Sequence, residues 1–179
     1  VRVSLCDGEP VRDIGWIESH VKEAKQIFGR YGIEMEVTVD EFTPSKCELT
    51  TRRHRHSYAE FADSEDVNVL VTKRVQDLDV PSYNLMGVHW RYRGNNEHFK
   101  GRRWVFLTSR AKPLVLAHEI CHFFGLRHDL GGGNLMTPGP SDPSQMGGGP
   151  KPKPFKPVLT TEQVAKLKQG IEIWKKASN

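Results

Sequence analysis

Long apolar runs are missing from this 179-residue chain. No stretch approaches the roughly 18 consecutive apolar residues of a membrane-spanning helix, so no membrane is expected. A strong charge of one sign is missing as well. Lys and Arg number 26 against 22 Asp and Glu, a net charge of +4. That balance is too mild for a dedicated nucleic-acid binder. Cysteine is scarce, with only Cys6, Cys47 and Cys121. An odd count gives no disulfide framework, although Cys6 and Cys47 can pair in an oxidising compartment. Cys121 reads as a small buried residue. Asp63, Glu65 and Asp66 lack the spacing of a calcium loop. No internal repeat is apparent, and no signal peptide is visible in the chain, which begins Val1-Arg2-Val3 without an initiator Met. A processed form or excised part of a secreted protein is the expectation. The 37% hydrophobic and 27% charged residues suit a globular protein. The length suits one domain over 1–179 with a real core.

What is there centres on Ala117–Asp129, A-H-E-I-C-H-F-F-G-L-R-H-D. It holds His118, Glu119, His122, Gly125 and His128 in the pattern H-E-x-x-H-x-x-G-x-x-H. A helix sets residues i and i+4 on one face, so His118 and His122 can grip one ion. Glu119 can then reach a water on that ion. Gly125 can adopt positive φ and turn the chain, bringing His128 back as a third ligand. Three neutral imidazoles with one open position is the donor set of a catalytic zinc site rather than a closed structural one.

Around this stretch the chain reads as alternating strands and helices. Val1 to Leu5 alternates as a strand, and Cys6–Pro10 turns. Ile14, Ile17, Val21, Ala24 and Phe28 recur at helical spacing, with Asp13 as N-cap and Gly32 at the exit. Ile33 to Val39 alternates again and is expected to form a second strand. Strand, helix, strand favours a right-handed crossover and a parallel pair. Arg52–His56 is a basic run, expected as a solvated loop or helix start; a contact patch or a second metal site at His54 and His56 is the competing reading. Val67–Thr72 and Leu85–Tyr92 read as strands, with Met86, Val88 and Trp90 on one face of the second. Trp104–Thr108 is a strand leading into the histidine helix, which Pro113 opens. Pro138–Pro157 is a Pro/Gly-rich loop carrying Lys151, Lys153 and Lys156. Thr160 and Gln163 form a capping box, and Leu159 can staple to Val164. Val164, Leu167, Ile171 and Trp174 then line the buried face of a last helix. His20, His89 and His98 read as surface or structural histidines.

The extended histidine motif, followed by Asn134-Leu135-Met136-Thr137, resembles the metzincin clan of zinc metallopeptidases, in a small reprolysin- or matrixin-like form of bacterial type. The resemblance covers most of the chain. It implies an α+β, zincin-like fold: a twisted, mixed and mainly parallel sheet, a backing helix, an active-site helix, a methionine-bearing turn and a C-terminal helix. It implies an upper subdomain over about 1–125 and a lower one over about 126–179. Met136 would be the methionine beneath the metal, His118, His122 and His128 the ligands of one Zn²⁺, and Glu119 the general base. By order along the chain, Met86, Gly87, Val88, His89 and Trp90 would form the upper rim that pairs with an extended polypeptide substrate. Asp129 would be a structural carboxylate. Pro138 stands where some members carry a switchable tyrosine ligand, so that device is not expected. No prodomain and no cysteine switch are visible. The function implied is that of a zinc endopeptidase, in which Glu119 takes the proton of a metal-activated water. The alternative is a non-catalytic, zinc-containing binding domain of the same fold. A nucleic-acid binder using Arg52–His56 and the lysine-bearing loop ranks below both.

Overall fold

A computed structural model describes residues 1–63, 65–130, 133–138 and 156–178. The fold is α+β. Strands β1 (Arg2–Cys6), β2 (Glu9–Pro10), β3 (Asp40–Phe42), β5 (Val69–Thr72), β8 (Gly87–Arg91) and β9 (Arg103–Thr108) form one mixed sheet. Its path runs β2-β1-β5-β9-β8, with β3 on β1. The β1–β3, β1–β5 and β5–β9 pairs are parallel, while β2 and β8 run antiparallel to their neighbours. A small second sheet joins β4 (Glu48–Leu49), β6 (Arg74–Gln76) and β7 (Asn84–Leu85).

Helix α1 (Ile14–Gly29) begins where expected, with the Asp13 carboxylate accepting from Trp16 N. Its Ile17, Ala24, Ile27 and Phe28 pack with Val3, Val71, Val105 and Leu107 of the sheet and with Leu116 and Ile120 of helix α3 (Pro113–Phe123). Helix α4 (Thr161–Ser178) closes this core through Leu167. Its capping box is formed as read: Thr160 N donates to Gln163 Oε1 and Gln163 N to Thr160 Oγ1. Gly170 lets α4 lie on the end of α3, because a Cβ there would run into the carbonyl oxygen of Phe124. A second core on the opposite sheet face gathers Leu49, Tyr58, Leu70, Val75, Trp104 and Phe106.

Two sequence expectations need correction. Ile33–Val39 makes no ladder; only Asp40–Phe42 pairs with β1. Arg52–His56 forms helix α2, capped by Thr51, but it is not simply solvated. Arg55 is buried over the ring of Trp90 at 4.6 Å and donates to the carbonyl of Gln76 at 2.5 Å. Cys6 and Cys47 are joined in a disulfide spanning 41 residues. A loop of that length restricts the unfolded chain by about 4 kcal/mol on the chain-entropy argument. The Gly131-Gly132 step and most of the Pro/Gly-rich loop, 139–155, lie outside the described residues.

Candidate metal centre

The site is built by the way α3 begins and ends. Pro113 occupies its first turn, where a missing N–H breaks no helical bond. At the other end Gly125 takes φ +94°. Gly125 N then donates to His122 O at 3.0 Å and Leu126 N to Cys121 O at 3.0 Å. This is the paired closure that a left-handed glycine permits after a helix. It leaves the Leu126 carbonyl beside His122, whose Nδ1–H donates to it at 2.8 Å. His118 Nδ1–H donates to the carbonyl of Leu135 at 2.7 Å. Leu135 is itself tied to the chain before α4, by its N–H to Val158 O.

A carbonyl only accepts, so both Nδ1 atoms carry the proton and both Nε2 atoms are bare lone pairs. Yet His122 Nε2 lies 3.0 Å from His118 Nε2, and His118 Nε2 lies 3.2 Å from His128 Nε2. The lone pairs of His118 and His122 that face one another at 3.0 Å repel unless a cation sits between them. An ion bound tetrahedrally at 2.0–2.1 Å would set two nitrogens about 3.4 Å apart, close to what is seen. The residues present therefore fit a metal. The donors suit zinc, copper, iron or nickel rather than calcium or magnesium. Burial lowers the pKa of His118, and it lowers that of His122 to about 3 with the nearby His118 adding to the effect. Both rings are thus neutral and ready to ligate. Among the described residues this trio is the one cluster of three or more His, Cys, Asp or Glu ligand atoms, so His54 and His56 complete no second site. Cys121 is buried away from it, and burial raises its thiol pKa.

Glu119 lies at the seam between α3 and β8. It is 6% exposed, and burial pushes its pKa up to about 8 against the pull of the His89 backbone N–H, which donates to the carboxylate. That bond follows from the register of β8. Thr108 N donates to Met86 O and Tyr92 N to Arg102 O, so the even-numbered residues of this strand bond to β9. Gly87, His89 and Arg91 consequently turn their backbone groups to the open edge. Gly87 has to be glycine for this approach. A Cβ there would stand 2.6 Å from Val115 Cγ1 and 2.7 Å from Glu119 Cγ. Val88 and Trp90 pack on the second core, whereas Met86 packs on the first, with the residues of α1 and α3.

Asn134–Thr137, whose Leu135 carbonyl takes the His118 N–H, makes a tight turn, and Met136 is fully buried in it. Asn134, 5% exposed, was not singled out by the sequence. Its Nδ2 donates to Asp129 Oδ2 at 2.8 Å, and its Oδ1 accepts from Met136 N at 2.9 Å. Asp129 N in turn donates to Met136 O, and Gln163 Nε2 reaches Asp129 Oδ2 at 3.4 Å. The residue next to His128 is thereby laced to the turn and to the start of α4. An Asn two residues before the Met was the available signal. Arg103, also unforeseen, donates to Phe123 O at 2.9 Å and stacks on the Phe123 ring at 4.2 Å, holding the end of α3. Among the other histidines, His20 is buried between the carbonyls of Trp16 and Ala111, and His89 is half-buried against Phe123.

The chain matches no protein-family model, and no curated protein matches it.

Proposed function

We propose that this chain is a zinc-dependent endopeptidase of metzincin type, with His118, His122 and His128 holding one Zn²⁺. The carrying observation is the placement of Glu119. Its carboxylate sits on the helix that bears two of the histidines and bonds to the open edge of β8. A bound zinc ion would supply Lewis acidity, drawing electrons from a peptide carbonyl and making water a nucleophile near neutral pH. Glu119 takes the proton of the attacking water and delivers it to the leaving amine. The cation next to it would counter burial and favour the ionised carboxylate needed for the first transfer. The outward groups of Gly87 and Arg91, with the carbonyl of His89, pair with an extended polypeptide, laying one of its carbonyls beside Glu119, which already holds the His89 N–H. The Asn134–Thr137 turn acts as the floor of the site, and Asp129 is structural. We read 1–125 as the upper and 126–179 as the lower part of a single catalytic domain.

The disulfide suits an oxidising compartment, consistent with a secreted protein. No helix among the described residues is long and apolar enough to cross a membrane. The test is Glu119→Gln. With zinc content measured alongside cleavage of an unfolded protein, turnover should fall by about 10²–10⁴-fold while zinc stays bound. An unaltered rate would remove Glu119 from the reaction. A parent protein that holds zinc and cuts nothing would instead mark a binding domain of the same fold.

A further inference from the structure

The open edge of β8 ends in charge of one sign. Strand β8 closes the path of the main sheet, so its outer side has no neighbouring strand among the described residues. Past Gly87 and His89 the last outward residue is Arg91, and directly opposite it on β9 stands Arg103. Trp90 and Trp104, one step along, belong to the second core, so the two arginines project from the other face, the one turned to α3. The pair is of the non-hydrogen-bonded kind. Tyr92 N donates to Arg102 O and Val105 N to Asn68 O, so Arg91 and Arg103 turn their backbone groups away from each other. Pairs of this kind hold their side chains closest, and like charges set directly opposite are destabilising.

The fold supplies no anion to offset this. Neither arginine makes an ion pair among the described residues. The one carboxylate between them in sequence, Glu97, is taken by Lys100 at 2.6 Å. Arg103 cannot swing away, because it donates to Phe123 O and lies over the Phe123 ring. Burial lowers its pKa, and Arg91 lowers it further. Arg91 itself is exposed, so its guanidinium can meet a partner that arrives from solvent.

We propose that Arg91 selects an acidic residue in the polypeptide docked along β8, at the place directly opposite it. This rests on the reading of β8 as the docking edge, and it adds the class of substrate. An added antiparallel strand, the pairing that is more stable per residue, receives both outward bonds of Arg91 on a single residue. The side chain of that residue projects from the face that carries Arg91 and Arg103. A carboxylate there offsets the repulsion between the two guanidinium groups, whereas a lysine adds a third cation. Its neighbours on either side point to the face of Trp90 instead. Running against β8, the polypeptide meets Arg91 before it meets His89 and Glu119. The acidic residue therefore lies on the N-terminal side of the carbonyl that Glu119 serves.

The test moves Glu, Gln or Lys through each place of a short neutral peptide. Binding is measured on the zinc-loaded Glu119→Gln variant and cleavage on the parent. At one place, N-terminal to the cut, Glu should bind at least about threefold tighter than Gln and at least about tenfold tighter than Lys. Arg91→Ala should erase this order, and Arg91→Glu should reverse it in favour of Lys. Arg53→Gln, which removes the same charge from the exposed side of α2, should leave it in place. The proposal is overturned if no place favours Glu, if the preference survives Arg91→Ala, or if Arg53→Gln weakens it equally. A peptide that binds with this preference and is not cut by the parent supports the proposal and refutes the peptidase reading alone. Cleavage with no preference for an acidic residue does the opposite.

Discussion

Asn134 is where three parts of the site meet. One amide side chain holds Asp129, which follows the third histidine, and the backbone of Met136. Its removal would orphan the buried Met136 N–H and take one donor from Asp129, a cost of about 1–3 kcal/mol. His128 is exposed, unlike its two partners on α3, so the loop that carries it depends most on this lacing. Asn134→Ala should therefore weaken metal binding by about 10–100-fold, the range of supporting groups around metal ligands. Competition against a chromophoric chelator measures it, and an unchanged affinity would deny Asn134 a positioning role. The clustering of the three histidines was legible from spacing alone, since i and i+4 on a helix and a glycine exit are local rules. The bonds that orient them were not. Leu126 and Leu135 contribute only carbonyls, and any residue supplies a carbonyl.

At the scale of elements, the seam between α3 and β8 decides whether Glu119 can act. Gly87→Ala would drive a methyl group into Val115 and Glu119. The expected outcome is at least about a tenfold fall in kcat/KM with zinc content intact, since overpacking of this kind costs about 1–3 kcal/mol and the displaced group is the proposed base. Full activity in that variant would mean that Glu119 does not work from its position against β8. The helices were read closely from sequence because their signals are near at hand: Asp13 and the Thr160–Gln163 box at the starts, Gly125 at an end. Strands were harder. Ile33–Val39 has the alternation of a strand and even its alternating burial, but a ladder needs a partner, and Val1 offers only one step of it. β4, β6 and β7 are two or three residues each, too short for any periodicity to show. Arg55 misled for a different reason. A basic run looks solvated until a distant Trp90 comes to lie under it.

For the molecule as a whole, the strongly shifted groups set how stability follows pH. His122 and His89 have folded pKa values of about 3 and about 4, both lowered chiefly by burial. Below the unfolded value of about 6.5, the unfolded chain takes up protons first, so the stability they contribute is lost as pH falls toward the folded values. Glu119 acts in the opposite sense. Raised to about 8, it contributes stability that is full below its unfolded value and lost as pH rises through 8. The zinc-free protein should then be most stable near pH 6.5. A bound cation favours the ionised Glu119, so zinc should abolish the decline between pH 6.5 and 8. Urea midpoints with and without zinc read both limbs, and a zinc-free profile flat from pH 4 to 8 would contradict this assignment.

Whether the three histidines and Glu119 make a peptidase is decided by one titration. The purified protein is stripped of metal in steps with a chelator, and bound zinc and the rate of cleavage of an unfolded polypeptide are followed together. The expected result is one zinc per chain, activity falling in proportion to the zinc removed, and full recovery on returning one equivalent. Cleavage that persists after the zinc has gone, or zinc that can be removed and restored with no cleavage at any stage, would contradict it.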